Sequence, residues 1–427
     1  MSWYLAIPFF FLILAFVLRM PIGLGLIVGS MAYFVAKGVS LSILVNSICY
    51  GLVNSYILIA IPLFIFTANA MNASMVTDKV FDFARTLIGR RHGATGYVCI
   101  LASLIFAGMT GSALAEASGL GVLEIRQMKK EGYDLPFASA LTAATAVLGP
   151  IFPPSIPFVI YAMLSGASVG KMFLGGMVPA FLLCIVIGIY VWYIARKRNY
   201  PVGEKVTFKQ FARSTFKAIP ALLTPVILLV GIYTGVMTPT EAAAVAGAYA
   251  LLVAFFVYGT LSLKALGKVL LDTLRTTGTI FLVIAGAYGF NYIVTSEQVS
   301  VQVVAFMSSF VHSPAVFLLA VNILFLILGC LVDVNVSQFV FLPIVLPLVR
   351  YYHIDLVHFG VVIVLNMMIG LLTPPFGMLL FVTANVAKVS LQELIREVAP
   401  FIVVEIVALG ILTYVPQSVL LLTNLMK

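Results

Sequence analysis

The sequence predicts an all-α polytopic membrane protein made of two inverted repeats, each with a re-entrant helical hairpin and a broken helix. Three observations carry that expectation. The composition suits no water-soluble fold, a double proline recurs at matching places in the two halves, and the basic residues are distributed to one side. Of 427 residues, 62% are hydrophobic and 9% are charged, against about 25% charged in ordinary soluble domains. Such a chain cannot cover a soluble surface, and the same numbers exclude a disordered, collagenous, coiled-coil or disulfide-framed protein. Cys49, Cys99, Cys184 and Cys330 lie in apolar runs without a CxxC pair, so neither a zinc site nor a disulfide framework is expected. The net charge of +9 reads as loop asymmetry in a lipid bilayer rather than as affinity for nucleic acid.

A helix needs roughly 20 apolar residues to cross a hydrocarbon core of about 30 Å. Runs of that kind fall near 3–18, 21–36, 50–71, 172–195, 218–236, 240–258, 277–295 and 399–421. Met1-Ser2-Trp3-Tyr4 lacks a basic n-region, and a second apolar run follows Arg19, so no cleavable signal peptide is expected. Residues 94–125 are apolar or small but broken at Gly108-Met109-Thr110-Gly111-Ser112, and 314–349 are broken around Gly329 to Asn335. Each is too long for one span and too interrupted for one straight helix. Hairpins that descend to mid-membrane, turn on a polar tip and return fit both.

The broken helices are expected at 136–165 and 357–386. Their breaks are Gly149-Pro150-Ile151-Phe152-Pro153-Pro154-Ser155 and Leu372-Thr373-Pro374-Pro375-Phe376-Gly377. Proline removes a backbone donor and clashes with the preceding turn, so a proline pair ends a helix. Unpaired backbone at that depth is tolerated only inside protein or along a wet cavity.

The basic residues test this topology. With the N-terminus outside and each hairpin returning to the side it entered, Arg19, Lys79, Arg85, Arg90, Arg91, Arg126, Lys129, Lys130, the seven from Arg196 to Lys217, Lys264, Lys268, Arg275, Lys388 and Arg396 share one face. That is 20 of the 24 Lys and Arg. Lys37, Lys171, Arg350 and Lys427 take the other. The richer face is expected to be cytoplasmic, which puts both termini on the outer side. Were either hairpin a full span, the downstream loops would change sides and the bias would collapse.

The order of elements repeats. Residues 1–195 and 218–427 each read as two spans, a third span, an amphipathic segment (76–91 and 298–311), a hairpin, a broken helix and a closing span. A basic cytoplasmic linker, 196–217, joins the halves. The first hairpin opens beside Arg91 and Arg126, the second near His312 and Arg350 on the opposite face, so the halves are inverted. Inverted repeats with broken helices mark secondary transporters, with substrate and ion sites at the midplane. No GxxxxGK[ST] motif is present, so ATP coupling is not expected.

The intramembrane acids read from the sequence are Glu116, Glu241, Asp333 and Glu405. Glu241, after Thr238-Pro239-Thr240, reads as a helix-start residue, and neither Glu116 nor Glu405 is given a role. Asp333 sits at a hairpin tip, where an unpaired charge costs at least about 2.5–3.5 kcal/mol. It needs a cation or a donor, or it caps the returning half-helix. The tips and breaks are rich in small oxygens: Thr110, Ser112, Thr145, Ser155, Asn335, Ser337 and Thr373. Breaks also free carbonyls at 149–153 and 371–374. Neutral oxygens with one carboxylate suit Na⁺ better than a transition metal. Half-helix N-termini at Ser155 and Phe376 would direct partial positive charge at an anion.

Six segments together resemble the large membrane subunit of tripartite ATP-independent periplasmic (TRAP) transporters. They are FAGMTGSALAEA at 106–117, GPIFPPS at 149–155, MTPTEA at 237–242, PIVLP at 343–347, DLVHFGVV at 355–362 and GLLTPPFG at 370–377. The resemblance covers essentially the whole chain. It implies an elevator mechanism, Na⁺ coupling, a bacterial inner membrane with both termini in the periplasm, a small four-helix membrane subunit as partner and a periplasmic substrate-binding protein as donor. It implies one Na⁺ site where the Gly111-Ser112 tip meets the Gly149-Pro150 break, and the nearby Thr145 oxygen is expected to join it. A second would lie at Gly329 to Asp333 with Thr373 to Gly377. Substrate would lie between them, near Ser112, Ser155, Asp333 and Asn335. Two positions depart from the family pattern: Thr110 stands where Ser is common, and Ser296 stands before Glu297-Gln298 where carriers of the sialic-acid type have Arg.

The expected function is Na⁺-coupled import of a small organic acid anion, of C4-dicarboxylate, sugar-acid or keto-acid type. The alternative is a Na⁺/anion carrier that needs no binding protein. An enzyme is not expected, because His92, His312, His353 and His358 read as interfacial and no catalytic constellation lies at depth. A channel would need no inverted hairpins.

Overall fold

A computed structural model describes residues 3–18, 20–74 and 76–425; Arg19 and Lys427, counted above for topology, lie outside them. The first half comprises α1 (Ala6–Val17), α2 (Ile22–Lys37), α3 (Leu41–Val53), α4 (Ile57–Ala73), α5 (Val76–Ile88), α6 (Ala94–Thr110), α7 (Ala113–Ser118), α8 (Leu120–Lys130), α9 (Leu135–Ala146), α10 (Ile156–Ser165) and α11 (Val169–Lys197). The second comprises α12 (Phe208–Tyr233), α13 (Pro239–Leu252), α14 (Leu263–Ser296), α15 (Val299–Phe310), α16 (Pro314–Leu331), α17 (Val334–Tyr351), α18 (Leu356–Leu372), α19 (Met378–Ala387), α20 (Leu391–Tyr414) and α21 (Gln417–Thr423). The expected order of elements is present in both halves.

Side-chain contacts at the helix ends show which ends lie together. Thr95, in the first turn of α6, donates to Glu131 just after α8, and Arg85 pairs with the same carboxylate at 2.6 Å. The first hairpin therefore closes on the face it opened from. Arg198, after α11, bridges Asp134 before α9 at 3.2 Å and Glu397 in α20 at 2.8 Å on that face. At the other end Phe317, in the first turn of α16, stacks on Tyr352 after α17 with ring centroids 4.9 Å apart. The Tyr352 hydroxyl donates to Val311 O at 2.7 Å, so the second hairpin closes there. Arg350 donates to Ser165 O at the end of α10, and Tyr161 to Leu356 O at the start of α18. Lys37 at the end of α2 pairs with Glu297 at the end of α14. The two hairpins open to opposite faces, as the inverted repeat requires.

The broken helices form the centre. Residues Phe137–Ala146 of α9 and Val357–Leu372 of α18 are buried without exception. A helix apolar all round belongs in a core. The halves interlock there: α10 packs on α17 and α18 of the second half, while α19 packs on α7, α8 and α9 of the first. Around this bundle α2 packs against α1, α3 and α14, and α4 against α13 and α14, forming an outer frame.

Several boundaries differ from expectation. The span expected at 50–71 is α4, preceded by α3 across a 60° bend at Asn54–Tyr56. Its counterpart, expected at 277–295, is the 34-residue α14 without a break. The closing span expected at 399–421 turns by 66° between α20 and α21 at Val415-Pro416. The linker 196–217 is helical from Phe208, where Thr207 and Gln210 form a capping box. The first hairpin runs on to Lys130, with a second interruption at Gly119.

Candidate functional site

Each break and tip starts a new helix, and the sequence supplies a cap at three of the four. Ser112 accepts from Ala115 N–H at 3.4 Å to start α7, and Ser155 accepts from Phe158 N–H at 3.2 Å to start α10. Asp333 Oδ1 accepts from Asn335 N–H at 2.9 Å to start α17. A side-chain oxygen at this position satisfies a donor the helix cannot. The fourth, α19, follows Gly377 with no side-chain cap and begins at Met378; Phe376, expected as its start, sits in the turn before it and is exposed.

Tip and break touch within each half. Gly111 has φ +60°, which favours glycine, and lies against the Pro154 carbonyl and the Ile156 nitrogen. Gly149 lies against Ser112 backbone and the Glu116 carboxylate. In the second half Gly329 lies against Met367 and Gly370 backbone, and Gly377 against the Leu371 and Thr373 carbonyls. Both prolyl–prolyl bonds, Pro153–Pro154 and Pro374–Pro375, are cis. Fewer carbonyls are free at the breaks than expected. Leu148 O accepts from Ile151 and Phe152 N–H, Pro150 O from the Ser155 hydroxyl, and Thr373 O from Gly377 N–H. Tight turns recover part of what proline removes.

The two tips meet at one cavity of about 480 Å³. Its inner wall carries Thr110, Gly111 and Ser112 from the first tip, Pro150 and Ile156 at the break, and Asp333, Val334 and Asn335 from the second tip. Its outer wall is the frame: Ile65, Ala68 and Asn69 on α4, and Thr276, Thr279 and Ile280 on α14. Of the expected substrate residues, Ser112, Asp333 and Asn335 line this cavity. Ser155 does not, because it is fully buried, capping α10 and donating to Pro150 O. Of the expected ion ligands, Gly111, Ser112 and Asp333 line it, while Thr145, Gly149, Gly329, Thr373 and Gly377 lie in the packing behind. The Thr145 hydroxyl donates to Thr142 O at 3.2 Å and that of Thr373 to Ile369 O at 2.8 Å.

Sequence reasoning missed the outer wall and one buried acid. Asn69 is a polar residue inside an apolar run, and that was its signal. Glu124, not among the acids singled out from the sequence, is buried and accepts from Ser103 at 3.2 Å. Glu116 and Glu405 are buried with no hydrogen-bond partner among the described residues. Glu241 closes a capping box with Thr238, as its position implied. His358 lies in the first turn of α18 and is buried there, with Nε2 2.9 Å from Leu412 O. Among the described residues no group of three His, Cys, Asp or Glu side chains converges.

The cavity, the paired tips and the broken helices agree with what comparison of the whole chain shows. Residues 9–418 match the family described as tripartite ATP-independent periplasmic transporter, DctM component. The chain belongs to this family. It is 38% identical over 406 residues to the sialic acid TRAP transporter large permease protein SiaM of Vibrio cholerae, with 95% of each chain covered. It is 37% identical over 369 residues to the C4-dicarboxylate TRAP transporter large permease protein DctM of Pseudomonas aeruginosa, with 86% of each covered. Near-equal likeness to carriers of two substrates leaves the substrate to be argued from this TRAP permease's own cavity. The fold also resembles the YdaH transporter of Alcanivorax borkumensis, with TM-score 0.61 and 13% identity, covering 90% of this chain and 88% of the other. Family membership and the apolar helices make this TRAP large permease a multi-pass inner-membrane protein.

Proposed function

We propose that this permease imports a small organic acid anion together with Na⁺, receiving it from a periplasmic binding protein and working with a small membrane subunit. The observation that carries the reading is the convergence of both hairpin tips and the first break on one cavity against the α4–α14 frame. Neutral oxygens with a single carboxylate, Asp333, are a donor set for Na⁺ rather than for a softer metal. The N-termini of α10 and α17 face the same space and favour an anion. The inner bundle of hairpins and broken helices would slide as a unit against the frame, carrying the cavity from one face to the other.

Uptake into proteoliposomes holding the full transporter should require Na⁺ and ignore ATP. Full transport with K⁺ replacing Na⁺ on both sides sinks the reading. Uptake that is equally fast without the binding protein favours a stand-alone Na⁺/anion carrier instead.

The orientation is tested separately. In a background with the four cysteines replaced, Glu204→Cys should react with an impermeant maleimide only from the cytoplasm and Tyr351→Cys only from the periplasm. Both side chains are exposed, on opposite faces. The expectation rests on the basic residues gathering on the Glu204 face, and labelling of both from one side contradicts it.

A further inference from the structure

The polar groups of the cavity differ in kind between its walls. Four of its hydroxyls already donate their proton to their own helix: Thr110 to Phe106 O at 3.4 Å, Ser118 to Leu114 O at 2.7 Å, Thr276 to Asp272 O at 3.0 Å and Thr279 to Arg275 O at 3.0 Å. Asn69 has spent one amide proton on Thr273 at 3.0 Å. What Thr276, Thr279 and the Asn69 carbonyl offer the cavity is therefore acceptor lone pairs. Asp333 adds carboxylate oxygens, and Asn335 Oδ1 is buried without a partner among the described residues. No Lys, Arg or His lines the cavity. The donors are few: Ser112, whose oxygen accepts from Ala115 N–H and whose proton is free, and the amide N–H groups that Asn69 and Asn335 keep.

An ionised carboxylate only accepts, whereas an alcohol donates. Acceptor facing acceptor leaves both unsatisfied, at a cost that binding cannot recover. One carboxylate is accommodated near Ser112 and the proposed cation. A second, directed at the α4–α14 wall, would meet the Thr276 and Thr279 oxygens, one remaining Asn69 N–H and no cation. Hydroxyl groups suit that wall, and a four-carbon dicarboxylate would fill only part of the space. We propose that the cavity selects a polyhydroxylated monocarboxylate over a dicarboxylate, and that Asn69, Thr276 and Thr279 read its hydroxyls. This rests on the organic-acid reading above and narrows it to the sugar-acid class.

The test uses the purified membrane complex in saturating Na⁺, without the binding protein, so that the permease's own selectivity is measured. D-gluconate, D-glucuronate and N-acetylneuraminate are compared with succinate and fumarate for protection against thermal unfolding. At least one sugar acid should protect at concentrations where neither dicarboxylate does. Thr279→Val and Asn69→Leu should each weaken that protection about tenfold, a typical loss for one hydrogen-bonding partner. Thr279→Ser, which keeps the oxygen, should restore it. Stabilisation by Na⁺ alone should be unchanged in all three. Protection by a dicarboxylate equal to or better than any sugar acid overturns the selectivity while leaving Na⁺-coupled acid import standing. Unchanged affinity in Thr279→Val and Asn69→Leu overturns the role of the wall. Protection by neither acid nor Na⁺ removes both this inference and the import reading.

Discussion

Asp333→Asn is expected to fold and insert normally while Na⁺-driven uptake falls roughly a hundredfold or more. Asp333 is half-buried at the second tip, lines the cavity, and caps α17 through Oδ1 to Asn335 N–H at 2.9 Å. Asparagine keeps an acceptor of the same size in the same place, so the cap survives. What is lost is the charge. A cation about 4 Å from a carboxylate gains up to about 4 kcal/mol at an effective dielectric of about 20, and each 1.4 kcal/mol is worth tenfold in affinity. Removing a buried charge that served only as a cap would instead leave function intact and tend to stabilise the protein. Na⁺ titration of uptake in proteoliposomes separates the two cases. An unchanged half-saturation and rate would take Asp333 out of both ion and substrate binding. Asp333→Ala, which loses the cap as well, shows how much of any effect is structural.

The breaks were legible because they rest on local chemistry. Pro153-Pro154 and Pro374-Pro375 cannot continue a helix wherever they lie, and Gly111 followed by Ser112 ends one helix and caps the next. The expected sidedness rests on a different ground, that basic residues obey the bilayer rather than their neighbours, and labelling of Glu204→Cys and Tyr351→Cys tests it. The outer wall was not legible, because Asn69 and Thr279 become neighbours of one cavity only through the packing of α4 on α14. Ser155 shows the opposite error. Its position after the prolines marked it as a ligand, yet a serine that must start α10 spends its hydroxyl on Phe158 N–H and Pro150 O. His358 sits at a helix start, as its place after Asp355 implied, but its burial was not legible. The burial comes from α20, whose Leu412 carbonyl faces its ring. The bend at Asn54–Tyr56 has no proline to announce it, and α14 runs straight through the equivalent stretch.

Gly370→Ala is expected to destabilise the protein by about 1–3 kcal/mol or more, as overpacking of a tight interior does, and to abolish most transport with it. The double proline drew attention to the residues after 372, yet the tightest backbone-to-backbone approach of the second hairpin to the broken helix lies one turn earlier. A Cβ at position 370 would stand 2.6 Å from the Cα and carbonyl carbon of Gly329 and 2.9 Å from the Cys330 nitrogen. A Cβ at 329 would stand 2.8 Å from the Met367 oxygen. All of these are backbone atoms, so no rotamer change relieves the contact, and α16 must move off α18. Small residues that let backbones approach are how membrane helices gain packing where lipid removes the hydrophobic drive. Displacing α16 there moves the tip that carries Asp333 away from the cavity. Gly410→Ala is the matched control: it lies within α20 with nothing within 4 Å of a Cβ. It should be neutral or stabilising by roughly 0.5–1 kcal/mol, because alanine loses less backbone entropy in a helix than glycine does. Thermal unfolding of both variants in detergent, with uptake measured on the same preparations, decides the matter. A Gly370→Ala protein as stable and active as the Gly410→Ala control would mean that α16 and α18 do not cross at Gly329 and Gly370 as closely as described.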